Sequence, residues 1–258
     1  MPDGIKMELP GRVAVISGGS RGIGAAAVRM FVAAGAKAVF NYQKRRDAAE
    51  VLVKECGAEN CLAVQADLSS VESAEAVIRA AVERFGACDI VVANHGIWPP
   101  EEIPVDQMTP EHWRRSTAIN LDSVFGLVKY GVAQMKKQGR GGSVVLVSST
   151  AGQRGEAFHA DYAAAKGAVI SMVKGLSTEL ARDGIRVNCV APGWVDTEMA
   201  APALNDPARR ERAMKLIPLG RVGTPEEIAA PILFLCTEHA GFITGEIFNV
   251  NGGAVLVG

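Results

Sequence analysis

Charge of one sign is in short supply. Among 258 residues, Lys and Arg number 27 and Asp and Glu 28, for a net charge of -1. Without a surplus of either sign, no whole face is expected to attract nucleic acid or anionic lipid. Long apolar runs are missing too. The longest, residues 228–236, contains Pro231 and falls far short of the about 20 residues that a membrane-spanning helix needs. The five cysteines (Cys56, Cys61, Cys88, Cys189, Cys236) are odd in number and form no CxxC pair, so they read as free buried thiols of a reducing compartment. The four histidines (His95, His112, His159, His239) are dispersed without HExxH or similar spacing, and no metal is expected. Residues 1–11 carry no apolar h-region, so we expect no secretory signal and a cytoplasmic address. Disorder is excluded as the overall state by a hydrophobic fraction of 48%.

What is present is alternation. Short β-branched runs at 12–17, 36–41, 61–66, 89–93, 143–148, 185–191 and 246–249 read as buried strands. Between them lie helical stretches at 22–34 (stopped by Gly35), 45–56, 71–85, 111–138, 160–182 (closed by Gly184) and 225–236. Strand-helix alternation with apolar strands implies a parallel sheet covered on both faces. The expected fold is α/β: a single doubly wound domain spanning residues 1–258 with a seven-stranded parallel sheet. No linker, repeat or low-complexity segment interrupts it. Residues 194–223 break the pattern, being long, Pro-rich and mixed in polarity, and read as a substrate loop.

The chemistry-bearing residues fall at strand ends. Ser17-Gly18-Gly19-Ser20-Arg21-Gly22-Ile23-Gly24 follows the first strand and opens a helix. Glycines there let the backbone approach a pyrophosphate, whose charge the helix N-terminus stabilises. Asp67-Leu68 ends the third strand and Ala93-Asn94-His95-Gly96 the fourth, where ligands of an open parallel sheet lie. Asp67 equally suits a cap on the next helix. Tyr162-Ala163-Ala164-Ala165-Lys166 places Tyr and Lys at i and i+4, on one helical face. An ammonium beside a phenol stabilises the phenolate. Lowering a Tyr from about 10 by ~3 units takes about 4 kcal/mol, and would make Tyr162 a general acid or base near neutral pH. Ser148 and Ser149 offer hydroxyls for a substrate oxygen.

Together these pieces resemble the short-chain dehydrogenase/reductase family, over nearly the whole chain, and most closely its branch containing 3-oxoacyl-carrier-protein reductases. The first turn is similar to the family's glycine-rich fingerprint, which implies a Rossmann-type domain and cofactor contacts at Gly18, Ser20, Arg21, Gly22, Ile23 and Gly24. The resemblance makes Asp67, with Leu68, the adenine contact. It also makes Ala93-Asn94-His95-Gly96 the family's Asn-Asn-Ala-Gly motif, with Asn94 and Gly96 at the cofactor and two departures, Ala93 for Asn and His95 for a small Ala. By the same resemblance Asn120, Ser149, Tyr162 and Lys166 are the catalytic tetrad, Ser149 being chosen over Ser148 because it stands thirteen positions before the tyrosine. Tyr162 and Lys166 also contact the cofactor. Pro192-Gly193-Trp194-Val195-Asp196-Thr197 is similar to the PG motif, implying nicotinamide contacts at Pro192, Gly193, Val195 and Thr197.

The resemblance implies hydride transfer between a nicotinamide cofactor and a ketone or secondary alcohol. Ser149 would bind the carbonyl oxygen and Tyr162 donate the proton. Lys166 would lower the Tyr162 pKa and hold the ribose, and Asn120 would organise a water that resupplies protons. Substrates left open are an acyl thioester on a carrier protein and a free ketone, sugar or other secondary alcohol; a non-catalytic dinucleotide-binding regulator is the reading from another class. A carrier protein is acidic and needs basic residues at the cleft rim, for which Lys136, Lys137 and Arg140 are candidates, although Asp183 precedes Gly184 where a basic residue is common. NADP(H) is expected over NAD(H). The second strand ends near Tyr42 with no acid until Asp47, and Arg21 suits a 2′-phosphate, while Lys44, Arg45 and Arg46 include residues that merely begin a solvated helix. A homotetramer is expected, pairing helices 111–138 and 160–182. His95 reads as a space-filling ring and Asp161 as a solvated or first-turn acid. For Trp98 and Trp194, substrate contact and loop packing are both open.

Overall fold

A computed structural model describes residues 6–256. Its first strand, β1 (Val13–Ile16), is buried at every position, as a central strand must be when helices cover both faces of a parallel sheet. There follow α1 (Gly22–Ala33), β2 (Lys37–Tyr42), α2 (Arg46–Cys56), β3 (Cys61–Gln65), α3 (Ser73–Phe85) and β4 (Ile90–Ala93). Next come α4 (Pro110–Thr117), α5 (Ser123–Gln138), β5 (Gly142–Val147), α6 (Thr150–Arg154), α7 (Ala160–Leu180) and β6 (Ile185–Pro192). The chain continues through α8 (Ala201–Leu204), α9 (Pro207–Lys215), α10 (Pro225–Cys236) and β7 (Ile247–Val250). The seven strands form one sheet in the order β3-β2-β1-β4-β5-β6-β7, every neighbouring pair parallel. This is the doubly wound architecture that the alternation implied.

Successive strand residues point to opposite layers. Ala14 and Ile16 pack with α1, α2 and α10, while Val13 and Val15 pack with α3, α5 and α7. The order reverses between β1 and β4, so the loops leaving those two strands part and open a crevice at the carboxyl edge of the sheet. Among the described residues no helix is long and apolar enough to cross a membrane.

Three expectations need correction. The helix expected over 111–138 is broken: between α4 and α5, Ala118–Asp122 form one π-helical turn with Asn120 fully buried in it. The buried face through the break is polar, Ser116, Asn120 and Ser123, so apolar periodicity does not register it; such turns recur at functional sites. Asp161 does lie in the first turn of α7, but it is 1% exposed rather than solvated. Packing of α4 on α7 brings His112 Nε2 within 3.2 Å of Asp161 Oδ2. Finally, α5 runs back against the strand direction, which carries its last turn to the edge opposite the crevice. Lys136 pairs there with Asp183 at 2.8 Å and Arg140 with buried Asp89 at 2.6 Å, just ahead of β4. These cations do not rim the crevice.

The excursion from 194 to 223 holds α8 and α9 and closes on itself. Val195 bridges Gly223, Asp196 N–H donates to Gly223 O at 2.9 Å and Gly223 N–H to Trp194 O at 2.9 Å. The segment therefore leaves and rejoins the sheet at one point beyond β6.

Candidate active site

The turn between β1 and α1 is held from three strands. Gly18, at φ +64°, donates its N–H to Asn41 Oδ1 on β2 at 2.8 Å, and Asn41 Nδ2 donates to Ala66 O beyond β3 at 3.1 Å. From the end of β4, Asn94 Nδ2 donates to Ser17 O at 3.1 Å. A Cβ on Gly24 would strike the Gly18 carbonyl oxygen and come within 2.8 Å of Asn94 Nδ2, so α1 starts directly against the turn. Arg21, its N-cap residue, makes no side-chain cap. The first N–H groups of α1 thus face the crevice without a side-chain partner, which fits a pyrophosphate.

One cleft of about 460 Å³ joins this turn to the ends of β2 to β6. Gly18, Ser20, Arg21, Gly22 and Ile23 line it at the turn, and Tyr42, Asp67 and Leu68 beyond the turn. Asn94 and Gly96 line its middle, and Ser149, Tyr162, Lys166, Pro192, Gly193, Val195 and Thr197 its far end. Gly24 and Asn120 stand behind the wall. Asp67 Oδ1 accepts from Ser69 N–H at 2.9 Å, a bond that holds this carboxyl below its usual range. At the same end Arg21 and Arg45 converge on Glu198, at 2.7 and 3.2 Å. Arg46 instead pairs with Glu50 one turn along α2, in solvent.

Ser149 is the N-cap of α6, its Oγ accepting from Ala151 N–H at 3.1 Å. Tyr162 and Lys166 rise from the first turns of α7, both buried. Lys166 Nζ donates to Val147 O at 2.9 Å, and Ser148 Oγ donates to Lys166 O at 2.8 Å, pinning α7 to the end of β5. A Cβ on Gly96 would lie 2.7 Å from Asn120 Oδ1 and 3.5 Å from Lys166 Nζ, so only glycine lets these two groups share its flank. The Asn120 amide bonds the Ile97 backbone and Ser116. Oδ1 accepts from Ile97 N–H at 3.0 Å, and Nδ2 donates to Ile97 O at 3.1 Å and Ser116 Oγ at 3.3 Å.

The expected lowering of the Tyr162 pKa is not what the fold produces. Burial pushes the phenol up to about 12; a hydrogen bond with Ser149 offsets part of this, and the charge of Glu156 adds to it. The Lys166 ammonium sits 5.9 Å from the ring centroid with an N–H directed at Val147, and burial pulls it down to about 8. Desolvation is the largest cause for both groups. The phenol is therefore a proton donor at neutral pH.

His95 does more than fill space. Its Nδ1 lies 2.7 Å from Ser17 Oγ and its Nε2 2.5 Å from Ser123 Oγ. Ser123 Oγ already donates to Ile119 O at 2.7 Å, so Nε2 carries the proton and Nδ1 accepts from Ser17. Burial, with the charge of Lys166, drops its pKa to about 3 and keeps the ring neutral. It links the glycine turn to the π turn. Trp98 and Trp194 both line the cleft and meet edge to face at 5.7 Å. Sequence reasoning missed Asn41, Arg154 and Glu156. The available signal for the last two was position: they lie between Ser149 and Tyr162, two residues expected at the same site. Among the described residues no group of three or more His, Cys, Asp or Glu is placed to hold a metal ion.

Comparison with known proteins agrees with this geometry. Residues 18–255 match the family model described as Enoyl-(Acyl carrier protein) reductase. The chain is 38% identical to the 3-oxoacyl-[acyl-carrier-protein] reductase FabG of Vibrio cholerae, over 97% of this chain and 100% of that protein. It is 35% identical to the L-rhamnose 1-dehydrogenase (NAD(P)(+)) of Azotobacter vinelandii, over 96% and 98%. A crystal structure described as short-chain dehydrogenase/reductase SDR:Glucose/ribitol dehydrogenase from Brucella melitensis superposes with a TM-score of 0.89 at 37% identity, covering 98% of this chain and 100% of that one. A parallel sheet with a glycine turn at its switch point, a Ser-Tyr-Lys wall and full-length relatives of this kind place the chain in the short-chain dehydrogenase/reductase family, as a nicotinamide-dependent oxidoreductase acting between ketone and secondary alcohol.

Proposed function

We propose that the whole chain is one catalytic domain in which Ser149, Tyr162 and Lys166 carry the chemistry, with 194–223 as its substrate loop. The observation that carries this is the placement of a buried phenol and a serine hydroxyl on the wall of a cleft whose other end is an uncapped glycine turn. A reduced nicotinamide bound there supplies the hydride. Ser149 Oγ donates a hydrogen bond to the substrate carbonyl, and Tyr162 delivers its proton to the same oxygen. Lys166 keeps further N–H donors beyond the bond to Val147 and turns them to the ribose hydroxyls. Asn120 holds the 96–97 backbone against Lys166 through its side-chain amide and, as family resemblance implies, organises a water that resupplies protons through Lys166. Gly18 to Gly24 cradle the pyrophosphate, Tyr42, Asp67 and Leu68 receive the adenosine, and Pro192 to Thr197 back the nicotinamide.

NADP(H) is the preferred cofactor. β2 ends in Tyr42 rather than in an acid, and the two guanidiniums that converge on Glu198 at this end of the cleft, Arg21 and Arg45, exchange that carboxylate for a 2′-phosphate. Arg21→Ala weakens NADP(H) binding roughly 10- to 100-fold, the range of a charged hydrogen-bond pair, and NAD(H) binding far less. Fluorescence titration with each cofactor reads this out; equal losses for both would discard the charge argument.

Two substrate readings stand. The curated relatives include 3-oxoacyl-carrier-protein reductases, which favours a 3-oxoacyl thioester. A free small molecule is favoured by a carboxylate, Glu156, in the cleft wall, and by α5 cations that lie away from the rim. Turnover of an acetoacetyl thioester against free ketones and alcohols, with both cofactors, separates them. The five free thiols suit the cytoplasm. A homotetramer is proposed on Trp113 and Phe125, exposed on α4 and α5, and on Phe248 of edge strand β7. Light scattering at micromolar concentration then gives four times the 27.1 kDa of the chain, and a monomer mass sinks the proposal.

A further inference from the structure

The cleft wall opposite the glycine turn is built by loops that hold one another. Trp98, after β4, stacks on His159 with centroids 4.9 Å apart and planes at 15°, and meets Trp194 edge-on. The indole Nε1–H of Trp98 donates to Glu156 Oε1 at 3.2 Å. His159 Nε2 lies 2.9 Å from Pro99 O, and Ile103 N–H donates to Phe158 O at 3.1 Å. Phe158 is held at φ +65°, the one non-glycine residue at positive φ among those described. A bulky side chain in that region is strained by about 1 kcal/mol or more, and the strain persists only where neighbours over-determine it. The loop 155–159 is thus fixed in the conformation that presents Glu156 to the cleft.

Glu156 is an unusual wall residue. Its side chain is 22% exposed, and burial pushes its carboxyl upward against the opposing charges of His159 and Arg154. Oε1 is taken by Trp98, whereas Oε2 has no hydrogen-bond partner among the described residues. Glu156 lines the same cleft as Ser149 and Tyr162. An alkyl chain laid here would desolvate that oxygen and return nothing. A cation would meet Arg154, which lines the same wall. A neutral molecule with several hydroxyls satisfies both, donating to Oε2 and accepting from Arg154, while its C–H faces pack on the two indoles.

We propose that Glu156 is a substrate-binding residue and that the substrate is a free, neutral, polyhydroxylated ring, a cyclic sugar or polyol, whose carbinol reacts at Ser149 and Tyr162. The inference rests on the second substrate reading above. In the oxidising direction the carbinol C–H bond breaks and its electron pair leaves as hydride to the oxidised nicotinamide. The O–H proton passes to Tyr162 in its phenolate form, which is why this direction gains rate at alkaline pH, and the C=O bond forms; at the anomeric carbon of a sugar the product is a lactone.

The test uses the full chain with NADP(H) and, separately, NAD(H), and as probes L-rhamnose, D-glucose, myo-inositol, cyclohexanol, cyclohexanone and an acetoacetyl thioester. At least one polyhydroxylated probe is oxidised with kcat/KM tenfold or more above cyclohexanol and above thioester reduction. Glu156→Gln keeps an acceptor for Trp98 but loses the charge, and raises KM for that probe roughly 10- to 100-fold with a smaller change in kcat. A parallel titration of indole fluorescence shows the same loss of affinity without turnover. Preference for the thioester, or an unchanged KM in Glu156→Gln, overturns the inference and leaves the hydride-transfer assignment standing. Failure of every probe, cyclohexanone and thioester included, overturns that assignment with it.

Discussion

Tyr162→Phe lowers kcat by roughly 10²- to 10⁴-fold, the range that a positioned proton donor contributes, while cofactor affinity stays within about twofold of wild type. The ring keeps its packing in the first turn of α7, and only the O–H is lost. The loss falls on kcat because the proton moves only in the transition state. Direction and pH sharpen the expectation. Burial raises this phenol to about 12, so at neutral pH it is already protonated for carbonyl reduction. Alcohol oxidation needs the phenolate, so in wild type the oxidative rate climbs through the alkaline range while the reductive rate does not. Tyr162→Phe loses that slope along with the rate. Steady-state kinetics in both directions and a fluorescence titration of the cofactor measure all three quantities; near-wild-type turnover would remove Tyr162 from its role.

Lys166→Met gives the second large effect, and it splits activity from stability. Turnover falls by about 10²-fold or more, because the proposed ribose anchor beside Tyr162 is gone. Stability at pH 7 rises instead. Lys166 is 3% exposed, and burial pulls it from 10.5 to about 8. Between those values the unfolded chain binds more protons than the folded one, so the native state gains stability as pH rises through the window. Below it both states are protonated, and the full burial penalty is present. At ~1.4 kcal/mol per pKa unit that penalty is about 3 kcal/mol. Met removes it at similar volume, but leaves the Val147 carbonyl without its 2.9 Å partner, a loss of about 1–2 kcal/mol. The net is a gain of about 1–2 kcal/mol at pH 7, shrinking toward pH 10 as the wild-type lysine is deprotonated. Denaturant unfolding of both proteins at equal protomer concentration, at pH 7 and pH 10, checks the sign and its trend. A variant less stable than wild type at pH 7 contradicts the burial argument.

The strands, the glycine turn and the Tyr-Lys pair were legible because each is a local pattern. Residues 13–16 must be extended when both their faces are covered, and Gly18 and Gly24 are required by contacts within one turn. Spacing of four residues puts Tyr162 and Lys166 on one face of α7 whatever else surrounds them. The π turn at Asn120 was not legible, since its buried positions, Ser116, Asn120 and Ser123, are polar and apolar periodicity does not mark them. Its geometry is set by partners far along the chain: Ile97 binds the Asn120 amide, and His95 joins Ser17 to Ser123. For Asp161 the first-turn reading holds and the solvated one does not, because tertiary packing leaves it 1% exposed, with His112 of another helix 3.2 Å away.

Local order in the chain therefore determined the backbone plan, the cofactor turn and the identity of the residues at the carboxyl edge of the sheet. Backbone hydrogen bonding and side-chain periodicity act over a few residues, and the sequence carries them directly. Tertiary structure alone decided the protonation of those residues and their neighbours across the cleft. Desolvation and charge act through space, so the signs of the Tyr162 and Lys166 shifts follow from what packs over them rather than from their spacing. The same holds for Glu156, whose carboxyl meets Trp98 from a loop 58 positions earlier, and for Lys136 and Arg140, which the return direction of α5 carries away from the site.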